Sequence, residues 1–198
     1  MVIIGSGGMA REVAGILEYD TPQIDLSFFD DIHQEKGMIW DKYPVIHSFE
    51  DLESHFATGD NNFITCIANP LLRKRLTEKI EAKGGHLTNA ISYRADISHF
   101  VKFGKGIVIQ PACVIASDVE IRKGVFVNAN AIVGHDSIVD EYVSLGPGCR
   151  ILGGVSIGKY SYIGCNAVIL PGVKIGEKVR IGIGKIIDQD VPDNSKIM

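Results

Sequence analysis

The sequence predicts a chain in two parts, a small α/β unit followed by a parallel β-helix, and three observations carry that expectation. A large apolar residue recurs at every sixth position from Ile97 to Ile187 without a gap. The residue two places before each is usually small or β-branched, as in Ala95, Cys113 and Val125. Upstream of this stretch, short apolar runs alternate with helical spacing instead. A strict period of six fits neither a helix nor a plain strand, whose faces repeat at 3.6 and 2 residues. It fits a coil of short flats in which positions i and i−2 point inward, with three hexapeptides to a turn. The residue just after each apolar one is often Gly, Asn or Asp, for example Asn128, Gly134 and Asp140, and is expected to turn the corner.

The elements of the first part follow in order. Val2-Ile3-Ile4 is a short strand entering Gly5-Ser6-Gly7-Gly8, after which Ala10, Val13, Ala14 and Leu17 recur at helical spacing. A glycine turn between strand and helix aims backbone N–H groups at an anion. A second strand, 24–29, ends at Asp30-Asp31, about where such folds hold a ribose hydroxyl. Residues 43–46 make a third strand, and Ser48 with Asp51 caps a helix. Residues 63–68 read as a buried strand. Asn69-Pro70 then opens a helix with Leu72, Leu76 and Ile80 on one face and Gly84 as its stop. A strand at 87–91 closes one βαβ-type half, which suits a mononucleotide moiety better than a dinucleotide. The boundary falls near Ser92–Ala95, giving domains of 1–92 and 93–198. About five coils follow, and the pattern frays at Lys185, a charge in an inward slot.

The net charge of −4, with no basic run, argues against nucleic-acid or anionic-membrane partners. No stretch reads as a signal peptide or a spanning segment, so a cytoplasmic protein is expected. Cys113 and Cys149 fill inward slots two coils apart, roughly 10 Å and beyond disulfide reach. Cys66 falls in a strand and Cys165 at a corner, and no metal-ligand spacing links them. Of six histidines, His33, His47, His55 and His86 read as surface residues. His99 and His135 share one slot of the repeat, but only His135 is mid-solenoid, within Gly134-His135-Asp136.

The opening VIIGSGGMAREV, the Asp pair, IANPLLRKRL, IVGHDSIVDEYVSLGPG and VSIGKYSYIGCNAVILPGVKIG together resemble bacterial sugar acyltransferases. More narrowly, they resemble the sialic acid O-acetyltransferases and the N-acetyltransferases of nucleotide-linked 4-amino sugars, over nearly the whole chain. The resemblance implies a Rossmann-like acceptor domain and a left-handed β-helix acyltransferase domain assembled as a homotrimer, with acetyl-CoA as co-substrate and no metal. It implies His135 as general base and Asp136 as its orienting neighbour. Ser144, Gly153, Gly154, Gly164, Cys165 and Gly182 are implied on the acetyl-CoA side, with the Gly153 N–H toward the thioester carbonyl. Ser6, Gly7, Gly8, Met9, Asp30, Asp31 and Asn69 are implied for the nucleotide sugar. Met9 and Ser144 stand where members often carry histidine. The leading expectation is acetylation of a sugar amine by direct attack, and the close alternative is O-acetylation of a sialic-acid-type sugar. A β-helix carbonic anhydrase would need three converging histidines, and a nucleotidyltransferase a basic glycine-rich opening. A non-catalytic scaffold is the non-enzyme alternative.

Overall fold

The computed structural model describes residues 1–33 and 37–198, in two compact units, Met1–Ala90 and Ile91–Met198. Among the described residues the first unit holds three helices and a six-stranded sheet of order β3-β4-β2-β1-β5-β6. Its elements are β1 (Val2–Ile4), α1 (Gly8–Asp20), β2 (Ser27–Phe29), β3 (Met38–Ile39), β4 (Tyr43–Ile46), α2 (Phe49–Thr58), β5 (Asn62–Thr65), α3 (Pro70–Glu81) and β6 (His86–Leu87). All neighbours are parallel except β3 and β4. The chain moves from β1 out to β2 and β4 and returns on the other side as β5, so a crevice opens above the C-terminal ends of β1, β2 and β5.

Several elements are shorter than expected. The strand at 24–29 pairs only over Ser27–Phe29, and that at 63–68 becomes Asn62–Thr65. Past Thr65 the backbone leaves the sheet to form the crevice floor. In α1 it is Ile16, not Leu17, that is fully buried. The buried stripe of α3 is Arg73, Thr77 and Ile80, while Leu72 and Leu76 are half-buried. A helix beside a crevice turns its apolar flank partly into the crevice and needs polar atoms where it meets loop carbonyls. Arg73 Nη1 accordingly donates to the Ile67 carbonyl at 2.7 Å, and Thr77 bonds Thr65 at 2.9 Å.

The second unit is the left-handed β-helix. Two-residue flats pair in parallel at a constant offset of one coil, as in Val114↔Ile132 and Val133↔Ile151, and form sheets of seven, six and five strands among the described residues. The strand expected at 87–91 is in fact two, because Ala90–Ile91 joins the solenoid while β6 ends in the first unit's sheet. Inward Ile, Val and Leu are almost all fully buried, each stabilising by about 1.5–3 kcal/mol. Ile97 and Val101 are only partly buried and Phe103 is 38% exposed, since these belong to the first coil, whose flat at 102–103 is the terminal strand of its sheet.

The corner is not where the glycines suggested. Left-handed φ recurs at the third residue after the inward apolar ones from Phe103 to Ile181, as at Asn130, Asp136, Tyr142, Gly148 and Gly154. The glycines immediately after the apolar residue serve close stacking: a Cβ on Gly134 would lie 2.7 Å from Gly153 N, and one on Gly164 2.6 Å from Gly182 C. Nor does the coil end at Lys185. A further, shortened turn sets Val191 inward at 5% exposure and pairs Lys196–Ile197 with Arg180–Ile181. It is two residues short of the regular coil, so the period of six no longer shows it.

Candidate active site

His135 lies at the corner following Ile132–Val133. Its Nδ1 is 2.7 Å from Oδ2 of Asp136. A carboxylate only accepts, so Nδ1 carries the proton and Nε2 presents a lone pair outward. The left-handed backbone of Asp136, φ 59°, folds its side chain back to make this contact. The imidazole lies flat over Gly153, close enough that a Cβ there would meet Cε1 and Nε2 at 2.6 Å. The Gly153 N–H itself donates to no acceptor among the described residues. Its corner is braced on both sides: Gly154 N–H donates to the His135 carbonyl at 2.8 Å, and the buried Ser137 hydroxyl bonds Leu152 O at 3.0 Å and accepts from Val155 N–H at 3.2 Å. A hydroxyl in an otherwise apolar inward slot was the signal available.

The other residues implied on the acetyl-CoA side divide between two edges of the solenoid. Gly153 and Gly154 share the His135 corner. Gly164, Cys165 and Gly182 stack along a different corner, after the flats at 162–163 and 180–181, and Ser144 lies buried on the flat preceding it in that column. His99 occupies the His135 column two coils away, exposed, with no bond to a carboxylate among the described residues.

In the first unit a cleft of about 470 Å³ covers the ends of β1, β2 and β5. Ser6, Gly7, Gly8, Met9, Asp30 and Asp31 line it together with His33, Ile67, Leu72 and Arg75. A Cβ on Gly7 or Gly8 would meet nothing, so the turn faces open cleft. The N-terminus of α1 has no side-chain cap and no acidic residue in its first turn. Two expectations change here. Asn69 does not line the cleft; its side-chain oxygen caps α3, accepting from the N–H groups of Leu71 and Leu72. Asp30 is 8% exposed and already engaged by Ser6, by the N–H groups of Ile32 and His33, and by the His33 ring. Burial alone would raise its pKa. The Ser6 hydroxyl and the His33 and Ile32 contacts outweigh that and hold the carboxyl well below the usual range. His33 and His47 are therefore not idle surface residues, since His47 Nδ1 bonds the Asp30 carbonyl at 2.9 Å.

Residues 1–80 match the family model of the PglD N-terminal domain. The chain is 28% identical over 153 residues to GDP-perosamine N-acetyltransferase from Escherichia coli, covering 75% of this chain and 67% of that protein. It superposes with a TM-score of 0.90 on PerB from Caulobacter crescentus in complex with CoA and GDP-perosamine, at 30% identity over 97% of this chain and 90% of that one. The chain belongs to the sugar N-acetyltransferase family. Another solved structure, the acetyltransferase domain of PglB from Neisseria gonorrhoeae in complex with acetyl coenzyme A, gives a TM-score of 0.89 at 28% identity over 98% of this chain and 93% of that one. As a sugar acetyltransferase the chain is an acyl-transfer enzyme. No group of three His, Cys, Asp or Glu residues among those described could hold a metal ion. No helix among them is long and apolar enough to cross a membrane.

Proposed function

We propose that this enzyme transfers the acetyl group of acetyl-CoA to the amine of a nucleotide-diphosphate-linked amino sugar, with His135 as general base. The observation that carries this is the His135–Asp136 pair lying over the free Gly153 N–H. The amine attacks the thioester carbonyl, forming the C–N bond; Nε2 takes the proton the nitrogen must lose; the C–S bond breaks and the thiolate leaves as CoA. The Asp136 carboxylate favours the imidazolium so formed, and the Gly153 N–H meets the charge developing on the carbonyl oxygen. Cys113 and Cys149 offer no covalent route: both are buried, and burial, with Cys113 and Cys165 nearby, pushes the Cys149 thiol up to about 12.

The acceptor's nucleotide belongs in the cleft of the first unit, residues 1–92 serving as acceptor domain and 93–198 as acyltransferase domain. The exposed Asp31 suits a ribose hydroxyl, because the lone pairs of Asp30 are already committed to the turn. We also propose a homotrimer. Val114, Ile132, Val168 and Ile186 form an outward apolar column on the flats that lead into the His135 corner, interrupted only by Arg150. A second copy covering that column would set one of its edges beside His135, which explains why the donor residues fall on two edges of one chain. Four free thiols fit a reducing, cytoplasmic setting. The test is thiol release from acetyl-CoA with a panel of nucleotide-linked amino sugars and free sialic acid, alongside sedimentation. Release with the nucleotide amino sugars by a trimer is expected. Turnover of sialic acid alone would overturn the acceptor assignment, and a fully active monomer would overturn the assembly.

A further inference from the structure

The cations of α3 are not equivalent. Arg73 is buried on the Ile67 carbonyl, Lys74 pairs with Glu78, Lys79 sits 3.3 Å over the Phe49 ring, and just past the helix Lys83 pairs with Glu53. Arg75 alone of the helix's arginines and lysines makes no hydrogen bond, ion pair or ring contact among the described residues, and it lines the acceptor cleft. Beside it in the cleft lining are Leu72 and Leu76, whose apolar walls lower the local dielectric. Across the cleft are the bare Gly7 and Gly8 backbone and the uncapped start of α1. Among the described residues the one exposed carboxylate of the cleft lining is Asp31, which follows β2, whereas Arg75 stands on the helix following β5, and β1 lies between those two strands in the sheet.

We propose that Arg75 is the diphosphate-binding cation of the acceptor cleft, facing the glycine turn across the two phosphates while the ribose lies toward Asp31. This rests on the nucleotide-sugar reading and adds to it the residue that makes the cleft select a diphosphate-linked sugar over a free one. A guanidinium meets phosphate oxygens through a planar pair of N–H donors, a fit that lysine's point charge reproduces only in part. Arg11 is the internal control. It lies on α1, also exposed, but faces a shallow groove with Trp40 rather than the cleft.

The experiment is calorimetric titration of GDP and UDP, with guanosine and uridine as phosphate-free counterparts, into the wild-type protein and the variants Arg75→Gln, Arg75→Lys and Arg11→Gln. For the nucleotide that binds, Arg75→Gln should weaken affinity roughly 10-fold or more, as expected on losing hydrogen bonds to a charged group. Arg75→Lys should fall between, and Arg11→Gln should stay within about twofold of wild type. Equal losses in Arg75→Gln and Arg11→Gln would mean general electrostatics and overturn the proposal, as would wild-type affinity in Arg75→Gln. If the wild-type protein bound neither nucleoside diphosphate, the nucleotide-sugar reading itself would fall, and this assignment with it.

Discussion

Replacing Gly153 with alanine separates the chemistry from the fold. The new Cβ would lie 2.6 Å from Cε1 and Nε2 of His135, so the ring must retreat by about 0.8 Å to regain the 3.4 Å of ordinary contact. It can do so, because its side chain is 71% exposed and tethered only at Nδ1. Gly153 has no left-handed φ, so alanine strains nothing in the backbone. Stability should therefore change little. The base, however, is displaced by close to 1 Å, a misplacement that typically costs about 10²-fold in rate. Gly134→Ala is the contrasting variant. Its Cβ would meet backbone at 2.7 Å, where no side chain can give way, so it should lower the melting temperature strongly. Steady-state kinetics and thermal melts of both variants make the comparison. If Gly153→Ala folded normally and kept kcat within threefold of wild type, the imidazole's place over Gly153 would have no part in the reaction.

Asp30→Asn should flatten the acid limb of stability. The folded-state pKa is depressed, so the carboxylate's contribution is present above the ordinary carboxylate pKa of about 3.9 and is lost as pH falls below it. Melting temperature against pH below about 4 would show it, and parallel limbs for the two proteins would contradict it. Cys165, half-exposed, should react with a thiol reagent at mildly alkaline pH, while Cys66, Cys113 and Cys149 react only on unfolding; mass mapping of the labelled protein decides. Val191→Ala should cost about 2 kcal/mol in denaturant unfolding if the shortened last coil is packed as described, and no loss would mean that it is not.

The solenoid was legible because its register is written in one residue type at one spacing, and a missing Ile or Val would have broken it. What the spacing hid was the reason for its glycines. A close approach between coils and a left-handed corner both favour Gly, and only the backbone angles separate Gly134 from Gly154. The shortened coil was hidden because two missing residues remove the period while leaving Val191 and Ile197 their partners. In the first unit, helical spacing places Leu72, Leu76 and Ile80 on one face, but only Ile80 is buried, while Leu72 and Leu76 border the crevice and Arg73 is buried instead. Asp30 was found as a candidate by its distance from the glycine turn. That its lone pairs belong to Ser6, Ile32 and His33 depends on how the loop after β2 folds back, which no local pattern records. The pairing of His135 with Asp136 is what the family resemblance implies, whereas the bracing by Ser137 is visible only when the coils are stacked.

Whether His135 removes the proton from the attacking amine is decided by the pH dependence of kcat for wild type and His135→Ala with acetyl-CoA and a nucleotide amino sugar. The variant should still bind both substrates by calorimetry, its kcat should fall by about 10²–10⁴-fold, and the ionisation governing the wild-type acid limb should disappear from its profile. Unaltered kcat in His135→Ala, or a wild-type acid limb preserved in the variant, would contradict the general-base role.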